Sequence, residues 1–392
     1  MDDIEASVVI ALLLRARRKR RKHNYWVHPI TSQRLLKGQF HKLFEDLSEH
    51  PIKFFQYYRM TKNSFDELLR IIGPSITYKN TKWRLSIPPE ERLSVTLRYL
   101  ATGNSFISLH FEYLLGASTI GHIIKDTCSK LWTCLQPIHM PTKSEEDWKE
   151  IAKQFYLRTN FPNCIGAIDG KHIRIQKPNH SGSLFYNYKN YFSIVLLAVV
   201  DADYCFTAID VGSYGSNSDS NILKNSALGA KLIDGKLNIP QAQTLPNDEN
   251  GKPMPFVIVG DEAFATSRNI VRPYPRKNLS MKQRVYNYRM CRARRMVECT
   301  FGILANKWRI FHRPLNVQTN LADDIIKSSC VLNNFVRRKD GIRVEDECYE
   351  CPLVCIQQVG VRGTSSGIEA RDYLADYFIS PQGSLPWQYD HV

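Results

Sequence analysis

Two short apolar segments of this sequence each end in an aspartate. CIGAID ends at Asp169, and PFVIVGD ends at Asp261 after four apolar residues and a glycine. Both segments are typical of buried strands whose carboxyl ends present an acid. For either aspartate alone, capping of a turn is the simple alternative. If the two strands end at the same edge of one sheet, the two carboxylates lie close together and can bind a cation.

A third acid, Glu298, lies on a segment with the periodicity of a helix. In Cys291–Arg309, apolar residues recur at steps of three and four, which predicts a helix docked on a core. Glu298 follows Val297 and so lies about 100° further round, at the border of the apolar stripe. An ion pair with Arg294, four residues earlier, is the simple alternative. Three such acids together would form an oxygen-only site for Mg²⁺ or Mn²⁺.

Five sequence blocks follow one another along the chain in a distinctive order. They are CIGAIDGKHIRI, DVGSYGSNSDSNIL, VIVGDEAF, VRPYP and RRMVECTFGILANKWRIF. In this order they resemble the PIF/Harbinger superfamily of DDE transposases, and most of all the Harbinger transposase-derived nucleases. The resemblance covers about Trp26 to Arg338, and its specificity comes from the block order, since any one block alone is weak.

The resemblance implies a function for these acids. It implies that Asp169, Asp261 and Glu298 are the acidic triad of an RNase H-like DNA endonuclease with Mg²⁺ or Mn²⁺ as cofactor. Asp219 stands where the family also carries an acid, so it is a further candidate metal ligand, with capping of the helix from Asn221 as its alternative. The expected chemistry is two-metal hydrolysis of a phosphodiester, and for transposon-borne relatives also strand transfer.

The order of strand and helix segments that position these acids predicts an α/β fold with an N-terminal all-α domain. Three successive strands, a helix, a strand and a helix are the order of an RNase H-like mixed sheet, in which the first and fourth strands are adjacent. The predicted divisions are a basic arm at 1–25, a helical domain at 26–136, a linker and helix at 137–160, the nuclease domain at 161–338 and a loosely ordered tail at 339–392.

Within the helical domain, three consecutive helical segments predict a helix-turn-helix-like unit. The third segment begins near Ser118, and its first turns would face DNA through Ser118, Thr119, His122 and Lys125. Plain three-helix packing gives the same pattern, so DNA contact and a purely structural role both stay open.

A second basic region surrounds the predicted site. Arginines and lysines alternate with tyrosines between residues 268 and 295, which indicates a track for a DNA backbone. The residues that we expect to contact DNA there are Arg272, Arg276, Lys277, Arg294 and Arg295.

The composition favours a polyanionic partner and excludes several classes of protein. The net charge is +15 and the pI about 9.3, which favours nucleic acid. No apolar run approaches the ~18 residues of a spanning helix, so no membrane association is expected. GAIDGK lacks the spacing of a phosphate-binding loop, and no G-x-S-x-G nucleophile elbow is present.

The placement of the cysteines and a run of basic residues indicate the cellular compartment of the protein. Ten cysteines, mostly inside apolar segments, are typical of reduced thiols in an intracellular protein. The cluster at Cys348, Cys351 and Cys355 lacks a second pair or a nearby histidine, so it predicts no zinc site. Arg15–Lys22 holds seven basic residues in eight, which indicates nuclear import or phosphate contact, with a solvated helix face as the alternative. We therefore expect a nuclear protein, with the cytoplasm left open.

The resemblance also implies a partner, a Myb/SANT-like protein that supplies specific DNA binding. Homo-oligomerisation stays open. Two other functions compete with an active DNA endonuclease: a host-recruited DNA- or chromatin-binding factor whose cutting activity has lapsed, and a nuclease that acts on RNA.

Overall fold

A mixed β-sheet lies at the centre of the fold. The computed structural model describes residues 6–8, 25–82, 84–275, 278–341, 354–355 and 363–391. The main strands are β1 (Cys164–Arg174), β2 (Ser193–Val200), β3 (Phe206–Tyr214), β4 (Val257–Val259) and β5 (Ile270–Val271). Their order is β3-β2-β1-β4-β5. β2 is antiparallel to both β1 and β3, whereas β4 is parallel to β1 and β5. A two-residue strand, β6 (Val354–Cys355), also pairs with β1.

This topology confirms the predicted α/β class and RNase H-like core. The first and fourth strands are neighbours, as the order of segments predicted. β2 is buried along its whole length because it comes from the apolar run SIVLLAVV and has a strand on each side.

Helices surround the sheet and form the N-terminal part of the chain. The first eight are α1 (Pro29–Ser32), α2 (Arg34–Lys37), α3 (Gln39–Glu49), α4 (Pro51–Tyr58), α5 (Lys62–Ile76), α6 (Pro89–Thr102), α7 (Phe106–Tyr113) and α8 (Ala117–His139). The next are α9 (Glu145–Thr159), α10 (Asp219–Asn225), α11 (Ala227–Ile233), α12 (Met281–Lys307), α13 (Thr319–Asp340) and α14 (Ser365–Ile379). Short 3-10 turns span Arg309–His312 and Pro386–His391.

The two faces of the sheet bury different sets of side chains. Ala167 and Ile173 of β1 belong to the larger hydrophobic cluster, which also contains Phe301 of α12. Ile168 belongs to a smaller cluster on the other face, together with Trp148 of α9. Because side chains alternate along a strand, Asp169 lies on the face of Ala167 and Ile173, the side covered by α12.

The predicted N-terminal helical region is present and shares its core with the sheet. α6, α7 and α8 follow one another with short turns, as expected for the helix-turn-helix-like unit. α8 packs along α13, which in turn packs on β3, and one hydrophobic cluster includes both Ile120 and Val331. Asp340, the last residue of α13, accepts hydrogen bonds from Thr61 N (3.0 Å) and Ser64 Oγ (2.6 Å) at the start of α5. The helical region is therefore held directly against the part of the chain that contains the sheet.

The prediction of a loosely ordered tail at 339–392 is wrong for residues 363–391. α14 packs against α12, and Leu374 and Phe378 are fully buried. The guanidinium of Arg289 lies 4.5 Å from the centre of the Phe378 ring, and its Nη1 donates to Gln388 Oε1 at 3.0 Å. The acidic and Gly/Ser-rich composition masked this apolar helical stripe, which gives the segment enough buried area to fold.

Some predictions concern residues that the structure does not describe. The basic run Arg15–Lys22, Cys348 and Cys351 lie outside the described residues, as do the side-chain surroundings of Cys355. Over the part of the chain that is described, no helix combines the length and apolar character needed to cross a bilayer.

Candidate metal centre

Three buried aspartates meet beside the central strand. Asp169, Asp219 and Asp261 each offer one carboxylate oxygen, and these oxygens all lie within 4.8 Å of one another. The three residues are 1 %, 1 % and 4 % exposed, respectively. Among the described residues, these three aspartates form the group of potential metal ligands (acids, histidines or cysteines) that lie close enough together to bind one metal ion.

The strand register explains why Asp169 and Asp261 are neighbours. In the parallel pair of β1 and β4, Ala167 lies opposite Val259. Asp169 and Asp261 each follow that pair by two residues, so they emerge side by side. The prediction that the first strand ends at Asp169 is wrong, because β1 continues to Arg174, whereas Asp261 does follow the end of β4. Adjacent strands are about 4.8 Å apart, which brings the two carboxylates within reach of one ion. Local hydrogen bonds orient both groups, because Gly170 N donates to Asp169 Oδ1 and Ala263 N donates to Asp261 Oδ1, each at 2.9 Å.

Asp219 is buried without any compensating hydrogen bond to its carboxylate from the described residues. It is the first residue of α10, and both of its carboxylate oxygens are buried without a hydrogen-bond partner. Burial raises the pKa of Asp219 to about 8, and the nearby charges of Asp169 and Asp261 act in the same direction. A buried acid in this state is stabilised by a proton or by a metal cation. The structure thus places Asp219 in the acid group. It does not cap the helix, because α10 includes Asp219 and Ser218 is the N-cap residue.

Lys171 is a cation inside the same group. Its Nζ lies 3.1 Å from Asp169 Oδ2, and the side chain is 4 % exposed. Strand alternation places residues 169 and 171 on one face, which is the signal in the sequence that could have identified this lysine. Three carboxylates and one ammonium leave two net negative charges when all are ionised. This oxygen-only, negatively charged group could hold a divalent metal ion.

Glu298 is not among the three acids that the structure brings together. It lies on α12 as predicted, but its side chain is 48 % exposed and Oε1 accepts a hydrogen bond from Arg294 at 3.2 Å. Phe301, one helical turn further on, has its ring centre 5.6 Å from Lys171 Nζ. The helix therefore passes beside the acid group, while the Glu298 carboxylate takes the local ion pair that was its simple alternative. Its catalytic role stays a prediction.

The residues predicted to face DNA from the helical region lie on the first three turns of α8. Ser118, His122 and Lys125 are exposed, and Thr119 is half-buried. The helix begins at Ala117 after the N-cap Gly116. The side of α8 that packs on the core carries Ile120, so the predicted contact residues lie on its accessible side.

The residues predicted to contact DNA between positions 268 and 295 lie in different environments. Arg272 Nη1 donates to the carbonyl oxygens of Glu262 (3.1 Å) and Phe264 (3.3 Å), so it braces the segment that follows Asp261. Arg295 is exposed on α12, and Arg294 is half-buried. Outside the described residues lie Arg276 and Lys277.

Comparisons with known proteins agree with this geometry. Residues 168–334 match the model of a family described as DDE superfamily endonuclease, and this span contains the three aspartates and Glu298. The chain is 27 % identical over 309 residues to the protein named ALP1-like of Arabidopsis thaliana, which covers 76 % of this chain and 74 % of that protein. It is 24 % identical over 309 residues to Antagonist of like heterochromatin protein 1, also of Arabidopsis thaliana (74 % of each chain).

A third relative comes from a mammal. Over 272 residues the chain is 22 % identical to HARBI1 of Rattus norvegicus, whose name proposes a nuclease, with 68 % of this chain and 72 % of that protein covered. No solved structure matches the chain significantly.

Proposed function

We propose that this chain, which carries a DDE superfamily endonuclease domain homologous to the Harbinger-derived nuclease proteins, is a metal-dependent DNA endonuclease of Harbinger transposase type. Its expected reaction is hydrolysis of a DNA phosphodiester. Strand transfer to a 3′-hydroxyl is a further reaction that the same site could support.

One observation carries the proposal, the meeting of three buried carboxylates within 4.8 Å. Burying three like charges together is costly unless a cation or protons compensate them. The lone ammonium of Lys171 compensates one of them at most. A divalent ion, Mg²⁺ or Mn²⁺, is the compensation that best fits a set of hard oxygen donors.

We assign the ligand roles as follows. Asp169 and Asp261 would hold the ions between β1 and β4, and Asp219 would complete the oxygen shell from the start of α10. Divalent ions at such a site lower the pKa of the attacking water or hydroxyl and stabilise the leaving 3′-oxygen. The protein contributes fixed carboxylates, because Gly170 N and Ala263 N hold two of them in place.

We propose Glu298 as the remaining catalytic acid. Its ion pair with Arg294 is half-exposed and therefore weak, roughly 0.3–0.5 kcal/mol for an i,i+4 pair. A change of side-chain rotamer would release the carboxylate from Arg294 and turn it along α12 towards the acid group. Arg294 would then be available to a DNA phosphate.

We propose that DNA approaches along α12 and the first turns of α8. Arg294 and Arg295 lie on α12 beside Glu298, and His122 and Lys125 are exposed on α8. The net charge of +15 supports this partner. A nuclear location, a Myb/SANT-like partner and homo-oligomerisation are proposals that rest on the sequence and on the family resemblance.

A lapsed nuclease is the second candidate. In that case the chain would bind DNA or chromatin without cutting. Two observations favour it: the name of one relative refers to heterochromatin, and the Glu298 carboxylate is paired with Arg294 instead of joining the aspartates.

Nicking of supercoiled plasmid DNA separates the two functions. Purified wild-type chain is incubated with Mg²⁺ or Mn²⁺, with EDTA as the metal-free reference. The active nuclease gives relaxed and linear DNA only with metal, and Asp169→Asn or Glu298→Gln should lower the rate more than the roughly 10- to 100-fold loss seen for residues that merely support a metal ligand. The same incubation with an RNA substrate tests whether the chain is instead a nuclease that acts on RNA.

The matched control is Asp234→Asn. This acid is 50 % exposed and pairs with Lys236 on the surface, so the substitution should leave nicking unchanged. Metal-independent nicking, or equal nicking by wild type and Asp169→Asn, would indicate a contaminating nuclease. Absence of nicking together with retained DNA binding would favour the lapsed protein.

A further inference from the structure

The connection between β1 and β2 carries an exposed group of tyrosines that the proposed reaction does not use. Tyr186 and Tyr188 are 41 % and 44 % exposed, and Tyr191 is half-buried. We call residues 185–192, which hold these three rings, the aromatic turn. Large exposed aromatic side chains grouped on one loop mark a binding surface more often than a solvated one.

The aromatic turn is rigid because Asn187 holds it from inside. Asn187 is 3 % exposed, and its Oδ1 accepts hydrogen bonds from Lys189 N (3.0 Å) and Tyr191 N (3.4 Å). Its Nδ2 donates to Ser193 Oγ at 3.0 Å, and that oxygen lies 2.9 Å from Nδ1 of the buried His172. These hydrogen bonds hold the backbone that carries the tyrosines, so little of the backbone has to be ordered on binding, which favours affinity.

Cations are interleaved with the rings of the aromatic turn. The guanidinium of Arg174 lies 4.7 Å from the Tyr191 ring centre, and Lys189 Nζ lies 5.8 Å from that of Tyr188. Lys177 Nζ is 5.5 Å from the Phe192 ring centre. Residues 170–192 contain no aspartate or glutamate. Aromatic faces among cations, without acids, fit a nucleic-acid strand whose bases are unstacked.

The acid group and the cation beneath Tyr191 lie on opposite faces of β1. β1 carries Asp169 and, five residues later, Arg174, whose guanidinium lies against the Tyr191 ring. Because side chains alternate along a strand, residues 169 and 174 point to opposite faces of the sheet. We therefore treat the aromatic turn as a surface separate from the acid group.

We propose that the aromatic turn binds unpaired bases of a DNA strand. Tyr186 and Tyr188 stack on the bases, and Arg174 and Lys189 contact the backbone. A fully paired duplex buries its base faces in its own stack, so the surface selects DNA that is frayed, bulged or single-stranded. This base binding is independent of the proposed nuclease function.

The test measures binding in EDTA, where no cutting is expected. Single-stranded DNA carrying 2-aminopurine is titrated with wild-type chain, and its fluorescence reports stacking. We expect quenching, and Tyr188→Ala should weaken affinity by roughly 5- to 140-fold, the fold-change for one base–aromatic stack. Tyr188→Phe keeps the aromatic face and should retain most of the affinity. Paired duplex of the same sequence should bind the wild type and Tyr188→Ala alike.

Tyr389→Ala is the matched control, because Tyr389 is 45 % exposed but lies in the C-terminal 3-10 turn. Unchanged thermal stability of each variant verifies folding, and Lys189→Ala provides a second variant on the turn, with weaker binding expected at low salt. Equal binding by Tyr188→Ala and wild type, or quenching lost equally with Tyr389→Ala, overturns the proposal. In that case the aromatic turn would suit a protein partner.

The two proposals fail separately. If wild type nicks plasmid DNA but Tyr188→Ala binds unpaired DNA normally, the base-binding role fails and the nuclease stands. If wild type quenches 2-aminopurine but never nicks DNA with Mg²⁺ or Mn²⁺, the nuclease fails and base binding stands.

Discussion

Replacing Asp219 by asparagine should stabilise the metal-free protein and remove its response to metal. In the unfolded chain this aspartate has an ordinary pKa of 3.8, whereas burial and the charges of Asp169 and Asp261 raise the pKa to about 8 in the folded state. The folded state therefore holds more protons than the unfolded state between these two values. Because of this titration, the free energy of unfolding falls as pH rises from 3.8 to 8. Outside that range Asp219 does not make the free energy depend on pH.

The magnitude follows from the same pKa values. At pH 7 the folded chain must keep a proton that the unfolded chain has released, which costs about 1.4 kcal/mol per pH unit, or roughly 4 kcal/mol between pH 3.8 and 7. Asparagine has the shape of the protonated acid and carries no charge at any pH. We expect the Asp219→Asn variant in EDTA at pH 7 to melt roughly 8 °C above wild type, at about 2 °C per kcal/mol for a large domain.

Metal narrows the difference in stability between wild type and Asp219→Asn. An ion at 100 times its dissociation constant stabilises the wild type by about 2.7 kcal/mol. The variant has lost one of the three carboxylates, so its melting temperature should rise much less. Differential scanning calorimetry in EDTA and along a Mn²⁺ titration, at pH 5, 7 and 8, measures both effects.

The control for this comparison is Asp234→Asn, because Asp234 is a surface acid that is 50 % exposed. Its free energy of unfolding should change by roughly 0–1 kcal/mol, and its response to Mn²⁺ should be unaltered. A variant Asp219→Asn that is less stable than wild type in EDTA at pH 7 would refute the electrostatic argument. An undiminished Mn²⁺ response would refute Asp219 as a ligand.

Three further perturbations test other parts of the structure. Lys171→Met removes the buried ammonium beside the acids, so the metal-free protein should lose roughly 3–5 kcal/mol and gain more stability from Mn²⁺ than wild type does, as calorimetry would record. Burial raises the pKa of Glu91 to about 7, so stability should fall as pH rises from 4.5 to 7, and Glu91→Gln should abolish that slope in melting curves at pH 5, 6 and 7. Phe378→Ala should cost about 3–5 kcal/mol in urea unfolding if α14 is part of the core; a change below roughly 0.5 kcal/mol would contradict its docking.

Several features of the fold could be predicted from local sequence patterns. An apolar run such as SIVLLAVV predicts a strand because both of its faces must be buried, and β2 is buried throughout. Helix boundaries were harder to place, since periodicity marks the interior of a helix and not its ends. The third helix of the helix-turn-helix-like unit begins at Ala117 behind Gly116, although Ser118 has the more typical capping side chain.

The C-terminal segment shows how composition can mislead. Its charge and its glycines and serines predicted little order, yet Leu374 and Phe378 lie four residues apart and are both buried against α12. Two apolar positions on one helix face are a weak signal in the sequence. These two side chains stabilise the helix only when the rest of the chain folds and provides a packing surface that includes Tyr286.

The sequence by itself determined that each of two buried strand segments carries an acid and that a later helix carries another, because strand and helix patterns are local. Only the tertiary structure decided which acids meet. The β1–β4 register sets Asp169 beside Asp261, and the start of α10 brings Asp219 to them. Glu298 instead keeps its neighbour Arg294, since the direction of an exposed side chain is settled by the groups that the fold and its ligands place within its reach.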